Sequence, residues 1–311
     1  YQWLKDPKNP KRNKPVMDYL KAENKYSENY FIPLRKAERQ ITNELYNQLD
    51  QESKSEPVKS YGYWYWSQYI GNDDYRTVYR KKDEKGAEDE VLFDLPALAD
   101  SLNYFSLGFY SVSPDNRYMA YSIDTVGRQS YMTYIKNLET GEFLADSIKD
   151  AGSFLWAEDS KGFFHAKVDK KRNRTYAILF HSLGTTFDDD SVYMQSDDIT
   201  SNVGIGKSRS KEFLFISVSF NNSSETYLSR NAYPYNFKLV KTAEPDQQYS
   251  LNHVKNQFYI STNIGAPNWR LMVTDTAEVG FEHWREVISS NEDEILMGYQ
   301  VFDNYLVTHK M

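Results

Sequence analysis

Residues 109–124 read FYSVSPDNRYMAYSID. Two runs rich in aromatic and β-branched residues flank Ser113-Pro114-Asp115-Asn116, a string whose proline and Asx residues favour a tight turn. That is the pattern of a β-hairpin. It is followed by QSYMTYIKNLETG and EFLADS, which read as a third and a fourth strand.

The same unit recurs. SFLWAEDSKGFFHAKVD (153–169), VGIGKSRSKEFLFISVS (203–219) and YSLNHVKNQFYISTN (249–263) each open a similar set of short strands. GYWYWSQYIG (62–71) starts an earlier copy, and GYQVFDNYLVTHKM (298–311) looks like the opening of another. The second strands align at Met119, Phe163, Phe213, Phe258 and Tyr305, with separations of 44, 50, 45 and 47 residues. A repeat of that size matches a four-stranded propeller blade, which cannot bury its faces alone and is sealed by its neighbours. The expected fold is mainly β: a partial seven-bladed β-propeller with about five to six blades present. A β-sandwich accounts less well for five similar units and part of a sixth.

Residues 1–56 have a different texture. The first fifteen are rich in Pro, Lys and Asn and read as an extended lead-in pinned by Trp3 and Leu4. Val16, Leu20, Phe31 and Leu34, then Ala37, Ile41, Leu45 and Leu49, fall near helical spacing. Pro33 cannot continue a helix without losing a hydrogen bond, so two helices are predicted, about 16–30 and 33–52. QESKSEPVKS is read as a linker, which divides the chain into an N-terminal extended and helical segment (1–56) and a propeller (57–311).

Composition narrows the function. The net charge of −7 offers no electrostatic footprint for nucleic acid. Cysteine is absent, which removes disulfides, thiolate metal sites and a cysteine nucleophile. No apolar run approaches the length of a membrane helix. The compartment stays open between cytosol and periplasm.

The chemical motifs are sparse. There is no G-x-S-x-G, and Gly152-Ser153 simply opens a strand-like run. Gly204-Ile205-Gly206-Lys207-Ser208 lacks the glycine spacing of a phosphate loop and reads as a blade-edge turn. His165, His181, His253, His283 and His309 lie in or beside strands without metal-ligand spacing. Asp188-Asp189-Asp190 and Asp197-Asp198 read as solvated loops, since neither has calcium-loop spacing. The aromatic run Tyr61–Tyr69 and Trp156 read as strand core in preference to a sugar site. No metal and no cofactor is expected. Asp124-Thr125-Val126-Gly127-Arg128 sets a carboxylate and a guanidinium around a glycine in a strand-linking loop. It reads either as a local salt bridge or as a contact with another domain or a peptide.

Several of these strings together resemble the prolyl oligopeptidase-type serine peptidases, and best the oligopeptidase B (protease II) branch. They are Trp3-Leu4-Lys5-Asp6, Tyr19-Leu20-Lys21-Ala22-Glu23-Asn24, Gly62-Tyr63-Trp64-Tyr65-Trp66, Ser113-Pro114-Asp115, Asp124 to Arg128, His181-Ser182-Leu183-Gly184-Thr185 and Ser208-Arg209-Ser210. The resemblance implies N-terminal helices, a seven-bladed propeller and a C-terminal α/β-hydrolase domain holding the Ser-Asp-His triad. That hydrolase domain is absent from this sequence, so no catalytic residue is carried over, and the chain by itself is expected to be inactive. The implied partners are the catalytic domain of the same protein and short peptides cut after basic residues. Asp124 and Arg128 would be gating or interdomain contacts. The alternatives are a free-standing propeller that binds a protein or peptide, and a propeller glycosidase with paired carboxylates at its channel.

Overall fold

The fold is described from a computed structural model covering residues 2–4, 13–48, 53–71 and 73–311. The chain divides into two compact units, residues 1–96 and 97–311.

The first unit begins with a 3-10 turn, Gln2–Leu4, whose Trp3 ring meets Tyr19 edge-on at 5.0 Å. The rest of the predicted extended lead-in, residues 5–12, lies outside the described residues. Helix α1 (Lys14–Phe31) starts as its sequence dictates: the Asn13 side chain caps the Val16 N–H, and Pro15 occupies the first turn, where its missing N–H costs nothing. Pro33 interrupts the helix as expected. Ile32–Leu34 tighten into a 3-10 turn before α2 (Arg35–Gln48). Residues 49–52, the end of the second predicted helix and part of the linker, lie outside the described residues. Along these helices only Val16 is buried; Leu20, Phe31, Leu34, Ile41 and Leu45 are exposed. One antiparallel sheet, blade I, follows: β1 (Val58–Ser60), β2 (Tyr63–Gln68), β3 (Thr77–Lys82) and β4 (Glu90–Asp94). The aromatic run serves the sheet here, with Trp66 buried and stacked on Tyr79 across the strand pair at 5.6 Å. Helix α3 (Leu95–Asp100) comes next in the chain.

The second unit holds five further sheets. Blade II is β5 (Ser106–Val112), β6 (Tyr118–Asp124), β7 (Met132–Asn137) and β8 (Ile148–Lys149). Blade III is β9 (Phe154–Trp156), β10 (Gly162–Asp169), β11 (Arg174–Ser182) and β12 (Ser191–Gln195). Blade IV is β13 (Asn202–Lys207), β14 (Phe213–Ser219), β15 (Ser224–Arg230) and β16 (Lys238–Lys241). Blade V is β17 (Tyr249–Val254), β18 (Gln257–Thr262), β19 (Arg270–Asp275) and β20 (Arg285–Ile288). Blade VI has two strands, β21 (Leu296–Val301) and β22 (Leu306–Lys310). Each blade is an antiparallel meander in chain order, with strand positions close to those predicted.

The core lies between blades. Successive residues of a strand face opposite sides of the sheet. Phe163 therefore packs toward blade II, with Ala120, Ile135 and Trp156, while Phe164 packs toward blade IV, with Val203, Leu214 and Ile216. Trp156 is a seam residue, with its indole N–H donating to the Ser111 carbonyl at 3.1 Å. Between blades IV and V, Phe213 meets Phe258 at 4.8 Å. This last contact corrects the repeat alignment. Phe213 faces forward onto blade V, and Leu214 faces back onto blade III as Phe163 faces back onto blade II. A slip of one residue in a strand inverts its face, so Leu214 is the structural counterpart of Phe163. Tyr305, aligned with the same column, is 74% exposed on the two-stranded blade VI.

These packing differences set unequal mutational costs. Phe258→Ala is expected to lower unfolding stability by about 3–5 kcal/mol, the cost of a large cavity between two sheets. Tyr305→Ala should change it by less than ~0.5 kcal/mol. Urea denaturation followed by tryptophan fluorescence measures both.

Candidate functional site

In a four-stranded meander the turns joining second to third strands lie at the same end as the connectors to the next blade. Within the second unit that end is held by polar staples. Lys170, in the turn of blade III, reaches the Gln129 carbonyl at 2.9 Å and the Asp150 carboxylate at 2.8 Å, both of blade II. Arg174 donates to the carbonyls of Ser196, Asp198 and Ser201, fixing the connector from blade III to blade IV. Asn268 donates to the Asn291 and Glu292 carbonyls at 2.8 and 3.1 Å.

Asp124 and Arg128 sit at this end, in the turn after β6. Asp124 is 1% exposed. Its carboxylate accepts the backbone N–H groups of Val126 (2.9 Å), Gly127 (3.2 Å) and Arg128 (2.8 Å). Burial pushes this carboxyl up, but the backbone donors of Val126, Arg128, Gln129 and Ser130 outweigh it and hold it below the usual carboxylate range. Asp124 therefore meets the main chain of Arg128, where the local salt bridge would have used its guanidinium. Gly127 adopts φ +72°, which a side chain would strain, and the turn presents Val126 and Arg128 to solvent. Asp124 positions the loop; the exposed tips are what a partner would touch.

The histidines hold more than the sequence reading expected. His165 on β10 and His181 on β11 converge on one carboxylate, with His165 Nε2 2.6 Å and His181 Nδ1 2.7 Å from Asp190. The Nε2 of His181 lies 3.0 Å from Asp146 of blade II, which also accepts the Gly184 N–H. All four side chains are at most 4% exposed, and Phe187 stacks on His181 at 4.0 Å. Carboxylates thus flank both ring nitrogens of His181. Burial pushes His165 below the usual histidine range, against the opposing pull of Asp190. Asp190 is thus an internal anchor, a correction to its reading as part of a solvated loop. Antiparallel pairing of Phe163 with His181 sets the two rings side by side, a relation no sequence spacing reveals.

A second pair has a catalytic outline without the means. Ser210 Oγ lies 2.7 Å from His253 Nδ1, but His253 is fully buried and its Nε2 has no hydrogen-bond partner. No third group orients the ring from that nitrogen, as nucleophile activation requires. Among the described residues no cluster of His, Asp and Glu is arranged to hold a metal ion. Gly204 to Lys207 lie within strand β13, which corrects their reading as a blade-edge turn, and Lys207 pairs with Glu158 of blade III at 2.7 Å.

Two outcomes follow. His181→Ala removes one partner from each of two buried carboxylates, leaving Asp190 to His165 and Asp146 to the Gly184 N–H, and is expected to cost about 3–5 kcal/mol in urea denaturation. Asp124 has a depressed pKa in the folded state, so its stabilisation is complete above the ordinary aspartate range and lost as pH falls through the folded value. Asp124→Asn should therefore reduce the denaturation midpoint at pH 7 and flatten its decline below about pH 4, a profile read by midpoints measured from pH 7 to pH 2.

Solved structures share this fold. Oligopeptidase B from Leishmania major superposes with a TM-score of 0.87 at 19% identity, over 99% of this chain and 44% of that one. Oligopeptidase B from Trypanosoma brucei, in a closed form with covalently bound antipain, gives 0.85 at 20% identity. Among curated proteins, dipeptidyl aminopeptidase BI of Pseudoxanthomonas mexicana is 31% identical over 99% of this chain and 44% of its own length. Protease 2 of Moraxella lacunata is 28% identical, over 99% and 45%. The chain thus spans less than half the length of the relatives it matches. The model of the prolyl oligopeptidase N-terminal β-propeller domain matches residues 1–311. With blades in the expected order and that match over the whole sequence, the chain belongs to the N-terminal β-propeller family of the prolyl oligopeptidases.

Proposed function

We propose that this chain is the lid of an oligopeptidase B-like serine peptidase that cuts short peptides after basic residues. The observation that carries the reading is the family match over all 311 residues, set beside the 44–45% of the relatives' length that the chain spans. Catalysis then belongs to an α/β-hydrolase domain elsewhere in the protein, and the propeller limits access to it. A functional boundary near residue 57, between the helical segment and the propeller, is part of the same reading. Support comes from the exposed apolar side chains of α1 and α2, including Leu20, Ile41 and Leu45, a surface suited to cover by further protein. The reading takes Asp124 and Arg128 as gating residues, Arg128 as the exposed contact to that domain and Asp124 as the group that holds its turn.

A second reading rests on the relative named a dipeptidyl aminopeptidase. In it the protein removes dipeptides from free N-termini. The two readings separate on the full-length protein with fluorogenic arginyl amides, one N-terminally blocked and one a dipeptide with a free amine. The first reading expects the blocked arginyl substrate to be cleaved at least about tenfold faster than a blocked prolyl one; an absolute need for a free amine favours the second. Arg128→Ala should alter kcat/KM by up to about tenfold, the scale of one lost charged contact, without moving the denaturation midpoint. No hydrolysis by the full-length protein would leave the propeller as a binding module.

A further inference from the structure

A cavity of about 550 Å³ opens on the flank of the second unit between blades IV and V. Its volume lies within the range of small-ligand and peptide sites. Leu228, Val240 and Val279 supply an apolar lining, and Phe213, buried, is the aromatic ring among the described lining residues. Among the thirteen described residues that line it, Arg230 and Lys238 are the only charged ones, and none is a carboxylate. On a chain of net charge −7, a basic cleft free of carboxylates is a local reversal of sign.

Both walls are preformed. On the blade IV side, Ser229 Oγ accepts the Asn236 N–H at 2.9 Å, fixing the hairpin that leads into β16. On the blade V side, Thr274 donates to the Glu278 carbonyl and the Trp284 indole to the Val279 carbonyl. Arg230 lies over the Phe213 ring, its Cζ 4.3 Å from the ring centroid, which holds its guanidinium at the cavity. Its carboxylate partner, Glu212 at 3.3 Å, is half exposed, and a weak surface pair of that kind can be displaced by a ligand's carboxylate.

The third observation concerns the backbone. Lys238, Leu239 and Val240 all line the cavity, with a bulge in the β15–β16 ladder at Val240 between Leu239 and Lys241. What they share is the edge of β16. That strand is the last of its sheet and, among the described residues, pairs only with β15. An open strand edge is a template for an added strand.

We infer that the cleft between blades IV and V binds an extended peptide segment that pairs with the free edge of β16, places an apolar side chain in the cavity and sets a carboxylate against Arg230 and Lys238. Main-chain pairing supplies affinity, and the apolar pocket and basic rim select a segment with an apolar side chain beside a free or acidic carboxylate.

The test uses the full-length protein and a fluorescein-labelled octapeptide of alternating threonine and valine, ending in leucine with a free carboxylate. Fluorescence anisotropy should show saturable binding, weakened about tenfold by Arg230→Gln with Lys238→Gln and by amidation of the peptide's carboxylate. Alternate N-methylation of the peptide should abolish binding. Ala277→Trp, which blocks the cleft from an exposed position, should do the same with the denaturation midpoint unchanged. Binding indifferent to both charge substitutions, or no saturable binding at millimolar peptide, overturns the proposal. So does octanoate competing as well as the peptide while N-methylation has no effect, because the cavity would then take apolar carboxylates without strand addition.

Discussion

A four-stranded meander has two faces, and in a stack of such sheets each face is interior. This is the constraint on which the second unit depends. Phe163 and Phe164 are adjacent in sequence and both fully buried, yet they belong to different cores, one toward blade II and one toward blade IV. No blade closes a core alone, so the free energy of burial is realised only when neighbours are in place. The aromatic content reflects that demand. Rings such as Phe154, stacked on Phe163 at 4.6 Å, fill the wedge between tilted sheets with few atoms and little side-chain entropy.

Polar staples then hold the seams in one arrangement. Asp146 of blade II, His181 of blade III and Asp190 of the same blade form a buried chain of hydrogen bonds across one seam. Buried ion networks of this kind contribute less net stability than their geometry suggests, because desolvation opposes them. They do penalise any slip in register, since a misplaced blade would leave a charge unpaired. Arg174 and Lys170 do the same at the ends of the sheets, where they tie turns to connectors.

The helical segment obeys a different balance. Its caps and its break at Pro33 are local chemistry, and its apolar stripe has the helical period, but only Val16 is buried. That stripe is exposed along the described helices, and the proposed cover by further protein rests on it.

Periodicity and turn chemistry determined the fold at the level of sequence. The blade period, the hairpin turn at Ser113 to Asn116, the two helices and the interruption at Pro33 all follow from neighbours in the chain. Packing direction did not follow. Phe213 and Phe163 look equivalent in the repeat, and a shift of one residue sends them to opposite sides of their sheets. At the candidate site, the sequence pointed to the loop of Asp124 and Arg128 but not to the division of labour within it. Whether the carboxylate takes the guanidinium or the backbone N–H groups depends on the turn's path, which folds three donors onto one side chain. The His165, His181, Asp190 and Asp146 chain was invisible, because its members lie up to 44 residues apart and meet only through strand register and blade stacking. Local chemistry is written in adjacent residues; contacts between sheets exist only after the sheets have chosen their neighbours.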